Sequence, residues 1–334
     1  MTYSWQKQIL VTIAALTLAI PAVAEDIPPT SSVQCSKSTG SSKAVICHIQ
    51  GDAQAPFLQE DMYNAGLFGR ALRNTPPGSP EQERIIQSQR EYLKQRDACG
   101  NDTACIMRVM KARHQELIAL NKRLQVDLPD AEIARFIGNA YVKPMGETGG
   151  AKNTPSVDLT DRILGAFEQY PPAHVKLADG STFFWGFQQG NGSVRSIAIT
   201  DGQGQVQLVG AVDDLPEITN AILPMHRTHN DISQNRHALK SGRIALFVRD
   251  SAALQRYLSA VQAWTWADLL GFNVSCNKDA QWQSRCAAVQ QYRLPITAYN
   301  LNCKARAGQK ILAERCPLPL SASSGQVSLE NFRQ

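Results

Sequence analysis

Between residues 81 and 124 the apolar side chains recur every three or four positions, the period of an α-helix buried along one side. In the first stretch Ile85, Gln89, Tyr92, Leu93 and Arg96 share a side, and Glu83, Arg84, Arg90, Glu91 and Lys94 supply charge around them. Ile106, Val109, Met110, Leu117, Leu120 and Leu124 mark the second stretch. The run Gly100-Asn101-Asp102 interrupts the pattern, so the two stretches are predicted to form an αα-hairpin. Upstream, NTPPGSPE (74–81) reads as a turn entering a helix, with Pro80 suited to the first helical turn. Two further helices are expected over 41–49 and 59–73, the latter weakened by Gly66 and Gly69. Together these elements predict an all-helical first domain over 30–125.

The pattern then loosens. Residues 126–174 hold a weak helical period over 130–141, the Gly/Pro/Thr/Lys-rich run KPMGETGGAKNTPS and another short helix over 158–169, so this region reads as a linker with short helices. From residue 175 the period changes to that of strands. STFFWGFQQ, VRSIAIT and QVQLVGAV are separated by GNGS and DGQGQ, which predicts an antiparallel meander. RIALFV (243–248) is another strand, and Asp250 caps a helix over 251–270 that Gly271 ends. YRLPITAYNLNC reads as a late strand, with Pro295 favouring an edge position. Strands, helix and strand in that order predict an α+β domain over 175–320 and an α+β fold class for the whole chain.

The N-terminus sets the chemistry of the cysteines. Lys7, an apolar run over 9–20, Pro21 and Ala22-Val23-Ala24 have the layout of a secretory signal over 1–24, cleaved after Ala24. The run is too short to span a bilayer, which takes about 20 residues. Glu25, rather than a cysteine, follows the cleavage point, so no lipid anchor is indicated. The expected location is periplasmic or secreted, with no membrane span after cleavage. Cys35, Cys47, Cys99, Cys105, Cys276, Cys286, Cys303 and Cys316 then face an oxidising compartment and are expected in disulfides. They fall into two groups of four, which suggests two bridges within each domain. Cys99 and Cys105 pair either with each other or with the upstream cysteines. The larger loops of a cross-tie constrain the unfolded chain more and favour that arrangement. A metal site using His48 or His114 fits the spacing poorly, because zinc pairs are usually closer. A redox role lacks the Cys-x-x-Cys spacing.

Charge and motifs narrow the function classes. Residues 30–124 carry 13 basic and 9 acidic side chains and residues 125–334 carry 20 and 18, so neither half is a polybasic binder of nucleic acid or membrane. MHRTHNDISQNRH (225–237) places His226, His229, Asp231 and His237 close together, but no His-Glu-x-x-His helix fixes them as ligands. GNG and GQG are hairpin turns rather than phosphate loops, since no Gly-Lys-Ser/Thr follows them. No glycine-flanked serine elbow is evident. In the strand carrying Phe183, Phe184, Trp185 and Phe187, neighbours point to opposite faces, and an exposed Trp185 would suit a binding patch. Trp264 and Trp266 are expected to pack the long helix onto the sheet. No catalytic residue, metal or cofactor is indicated, and the chain reads as a non-enzyme.

Two segments add a family resemblance. VQCSKSTGSSKAVICHI (33–49) has cysteines twelve positions apart, and QSQREYLKQRDACGNDTACIMRVMKARHQELIAL (87–120) places Arg-Asp-x-Cys, a polar turn, a second Cys and a basic helix in sequence. Both are similar to the N-terminal domain of bacterial exported proteins of the lysozyme-inhibitor LprI type. Gln89, Arg96, Asp97, Cys99, Cys105, Arg113 and Leu117 fit its pattern, whereas Lys43 and Tyr92 stand where an acidic residue and a tryptophan are usual. The resemblance spans roughly 90 residues and does not reach 175–334. It implies that the helical domain binds and inhibits a lysozyme or other cell-wall hydrolase. Arg96, Arg108, Lys111 and Arg113 would be the cations that meet catalytic carboxylates. Many lysozymes are themselves basic, so long-range charge steering does not support the encounter. A non-inhibitory periplasmic binding or adaptor module is the main alternative. An envelope hydrolase, resting only on the histidine-rich run, is the third.

Overall fold

The computed structural model describes residues 46–47, 53–143, 156–168, 171–213, 243–270, 294–302, 311–320 and 332. Residues 1–24, the histidine-rich run 225–237, most of KPMGETGGAKNTPS, and Cys35, Cys276, Cys286 and Cys303 lie outside them. No helix among the described residues is long and apolar enough to cross a membrane.

The first part is helical. α1 (Ala55–Arg73), α2 (Pro80–Ala98) and α3 (Thr103–Leu124) form a three-helix unit. Gly66 and Gly69 do not break α1, because Phe68 and Ala71 bury against Leu117 and Ile85. Packing of that stripe outweighs the roughly 1 kcal/mol that each helical glycine costs. Two asparagine amides also hold α1 to α3: Asn64 Nδ2 donates to the Met110 carbonyl at 3.0 Å and Asn121 Nδ2 to that of Leu67 at 2.9 Å. Ser79 caps α2 by accepting from the Gln82 amide at 3.2 Å, and Pro80 occupies the first turn.

The second part is a seven-stranded sheet built of β3 (Ala173–Lys176), β4 (Thr182–Gln188), β5 (Asn191–Thr200), β6 (Val206–Asp213), β7 (Arg243–Val248), β8 (Ile296–Asn300) and β10 (Pro317–Leu318). Its order is β10-β8-β7-β6-β5-β4-β3. All neighbours are antiparallel except β7 and β8, which α6 (Ser251–Trp264) joins in parallel. The meander expected from GNGS and DGQGQ is therefore present as β4-β5-β6. Pro295 does not place β8 at the edge. It precedes the strand and its carbonyl accepts from the Ile244 amide at 2.9 Å, so the missing N–H costs the ladder nothing, and the two-residue β10 lies outside β8.

The strands read as near-continuous apolar runs because both faces of the sheet are covered. Phe183, Trp185, Ile197, Leu246 and Val248 pack toward α6, where the Phe183 ring lies 5.8 Å from Trp264 and 5.1 Å from Phe332. Phe184, Ala198, Val209 and Phe247 face the other way, onto α4 (Asp130–Ile137) and α5 (Leu159–Leu164). A small sheet of β1 (Ala140–Val142), β2 (Val157–Asp158) and β9 (Ile311–Leu312) lies beside them. Much of the stretch expected as linker is thus a structural layer: Ile133, Ile137, Leu159 and Ile163 are buried in the second core. Its sequence reads as weak because the elements are short, not because they are unpacked.

Candidate functional site

Two places gather chemistry: the tip of the helical hairpin, and a cleft where the helices meet the sheet.

At the tip, Gly100 takes the left-handed conformation (φ 57°) that ends α2, a position where a side chain would be strained. Asp102 then caps α3, its carboxylate accepting from the Cys105 amide at 3.0 Å. These caps turn the chain back within a few residues and bring Cys99 and Cys105 to a Cα separation of 5.6 Å, where they form a disulfide. The expected cross-tie is corrected here. The staple is local, across a sequence separation of 6, and by loop-closure entropy it is worth roughly 2 kcal/mol, less than a long cross-tie would be. Cys47 and Cys316 are also disulfide-bonded.

The four cations expected on the hairpin separate into two kinds. Arg108 and Lys111 are exposed on the first turns of α3 after the tip. Arg96 and Arg113 are instead 0% and 4% exposed, which removes them from the cations expected to meet a partner's carboxylates. Their guanidiniums flank the buried Tyr92 ring, at 5.8 and 5.7 Å from its centroid. Arg96 lies 3.7 Å from the buried Asp61 carboxylate and 3.3 Å from Asp97. Arg113 donates to Gln89 Oε1 at 3.0 and 3.2 Å, to Ser88 Oγ at 3.1 Å and to Glu116 at 3.1 Å. Burial pushes the Tyr92 phenol up, with Arg96 opposing. The sequence did carry a signal: Ile85-Gln89-Tyr92-Arg96 and Ile106-Met110-Arg113-Leu117-Asn121 are unbroken helical rows, and every member is buried. Trp185 is not the exposed patch that was expected: it is 4% exposed and packs in the core against Phe183 and Phe332, and from there it reaches the wall of the cleft where the helices meet the sheet.

The cleft was not anticipated. It encloses about 560 Å³ between the C-terminal turns of α1 and α3 on one side and strands β3 to β5 on the other. Arg70 and Arg73 enter it from α1, Lys122 from α3 and Arg195 from β5, with Asp268 as the carboxylate among them. Leu67, Ile118, Pro171, Pro172 and Phe187 supply apolar wall, and the Arg195 guanidinium stacks 5.0 Å from the Phe187 ring centre. Asp268 arrives there on an unusual element. α6 passes into a π-helical turn (Thr265–Leu269), closed by the Leu270 amide on the Thr265 carbonyl at 2.9 Å. One extra residue in the turn changes which side chains face the sheet.

Burial lowers Arg73 to about 10, with Arg70 adding to the shift and Asp268 opposing it. Arg195 is also lowered by burial and held up by Asp268. Both guanidiniums stay charged at neutral pH. His174, on edge strand β3, is buried, and its Nδ1 lies 3.2 Å from the Pro172 carbonyl. Burial lowers its basicity, Lys176 and Arg73 lower it further, and the Pro172 and Leu124 carbonyls oppose. The signal for this site in the sequence was slight, since its cations are scattered over residues 70–195. Among the described residues no cluster of three or more metal-ligand side chains occurs.

Comparison of the chain with protein-family models, with curated proteins and with solved structures finds no match.

Proposed function

We propose that this chain is an exported, non-catalytic binding protein of the cell envelope, and that its stapled hairpin binds and inhibits a lysozyme-type muramidase. One observation carries the reading beyond the resemblance. The tip Asn101-Asp102-Thr103-Ala104 is exposed and covalently closed, and Arg108 and Lys111 stand exposed on the helix leaving it. From Thr103 to Lys111 the helix rises about 12 Å, so the closed tip and the two cations lie along one exposed stretch of helix, while Ile46 and Phe57 pack against its inner side. A muramidase cleft holds two catalytic carboxylates. A covalently closed hairpin end with a guanidinium beside it pairs with such a carboxylate at little ordering cost. Arg96 and Arg113, both buried, support the hairpin from inside rather than touching the enzyme.

The test is a cell-wall lysis assay with purified mature protein. Stoichiometric inhibition at micromolar concentration is expected, and Arg108→Ala with Lys111→Ala together should weaken it at least tenfold while leaving the unfolding midpoint unchanged. Full lysis in a molar excess of folded protein, across lysozymes of different classes, would overturn the reading and favour the non-inhibitory binding module.

A further inference from the structure

We propose that the cleft between the helical unit and the sheet is a binding site for a small organic anion that carries a flat apolar body. This rests on the cleft alone and is independent of how the hairpin acts.

Three features carry the inference. The cleft lies within the roughly 300–1,000 Å³ range of small-molecule sites, at about 560 Å³. Among the described residues its lining carries the four cations Arg70, Arg73, Lys122 and Arg195 together with the carboxylate of Asp268. Two of those cations, Arg73 and Arg195, are half-buried. Burial depresses Arg73 and Arg195, and a guanidinium held in such surroundings attracts an anion more strongly than one in bulk solvent. The remaining wall is apolar and partly planar, with Pro171, Pro172 and Phe187 facing Leu67 and Ile118. Acidic oxygens of the ligand would meet the guanidiniums, which bind carboxylate, sulfonate or phosphate through paired N–H groups. The apolar body would lie against the prolines and aliphatic side chains.

Position supports the same reading. Ligand sites occur preferentially where two structural units meet, since neither unit alone can enclose the ligand. Here α1 and α3 provide two cations, Arg70 and Lys122, that are exposed on the helices, and the sheet provides Arg195. The π-helical turn brings Asp268 to the same place. Asp268 lies close enough to Arg73 and Arg195 to interact electrostatically with both. Binding of an anion would make the protein more resistant to unfolding by mass action.

The probe is 8-anilinonaphthalene-1-sulfonate, a flat aromatic monoanion, titrated by fluorescence into the native full mature chain. One saturable site of micromolar affinity is expected, weakening as salt is raised. N-phenyl-1-naphthylamine, the same body without the sulfonate, should bind at least tenfold more weakly. Arg70→Gln combined with Lys122→Gln, both at exposed positions where folding is preserved, should weaken the sulfonate at least tenfold and leave the neutral analogue unchanged. Arg108→Ala on the hairpin should change neither. Equal affinity for the charged and neutral probes, insensitivity to Arg70→Gln/Lys122→Gln, or no saturable binding would each overturn the proposal. If Arg108→Ala abolishes muramidase inhibition but not probe binding, the two sites are separate, as stated.

Discussion

Replacing Arg162 by leucine should destabilise the sheet by about 3 kcal/mol, a size that follows from how many groups this one guanidinium holds. Arg162 projects from α5 onto the β5–β6 pair and is nearly inaccessible, as is its partner Asp213, at 9% and 7% side-chain exposure. Nε and Nη2 donate to Asp213 Oδ1 at 3.3 and 2.9 Å. Nη1 donates to Ser196 Oγ at 3.2 Å, and Nη2 also reaches the carbonyls of Arg195 at 3.2 Å and Val212 at 2.9 Å. Without it, the Asp213 carboxylate keeps only the Arg243 guanidinium among these contacts, at 3.7 Å. Breaking one side of a buried pair costs about 3–5 kcal/mol, because the charge left behind is desolvated and uncompensated. The residual Arg243 contact puts the expectation at the lower end. Trp185, Trp264 and Trp266 lie in the adjoining core, so urea unfolding followed by tryptophan fluorescence reads this unit. Asp213→Asn in the Arg162→Leu background should cost much less than it does alone, since the stranded charge is then gone. A loss below about 1 kcal/mol for Arg162→Leu, or strict additivity with Asp213→Asn, would refute the reasoning.

Two further expectations concern the sheet edge and its covering layer. His174 is held below the ordinary histidine value of 6.5, chiefly by burial. The unfolded chain therefore binds more protons than the folded one just below pH 6.5, and His174 contributes stability that is present above that value and lost as pH falls. Compared with His174→Phe, the wild type should lose up to about 1.4 kcal/mol more per pH unit as pH is lowered from 6.5; parallel stability–pH curves from pH 7 to 5 would contradict it. At Gly186 an added Cβ would stand 2.6 Å from the Ala166 carbonyl oxygen and 2.7 Å from Phe167 Cδ1. Gly186→Ala should thus cost about 2–3 kcal/mol, because backbone on the facing segment must shift. At Gly210 the clash is with the side chains of Ile197, at 2.7 Å, and Leu246, at 3.0 Å. Gly210→Ala should cost less, about 1 kcal/mol; equal unfolding midpoints for the two variants would show the distinction to be wrong.

Much of the local structure was legible in the residues themselves. The three-to-four spacing around Ile85, Tyr92, Ile106, Met110 and Leu117 set out both helices of the hairpin, and Gly100 with Asp102 set out its turn. GNGS and DGQGQ marked the antiparallel turns. These features depend on neighbours a few positions apart, and the chemistry of a cap or a tight turn is decided within that span. Charge misled the reading at Arg96 and Arg113. Their helical rows placed them inside, yet arginine is assumed to be solvated unless a partner is known. Only the fold supplied those partners: Tyr92 between the two guanidiniums, Asp61 from α1, and Gln89 and Ser88 from α2.

Tertiary structure alone decided three further matters. It made 130–143 and 156–164 a layer over the sheet, because short helices with few apolar residues bury them only when a ready surface is opposite. It paired the cysteines of the hairpin locally, since the turn geometry, not loop entropy, determines which sulfurs meet. And it assembled Arg70, Arg73, Lys122, Arg195 and Asp268 around one cleft, from four elements far apart in the chain. Periodicity records which face of an element is buried. It does not record which other element lies against that face, and the charge and shape of a site are properties of that meeting.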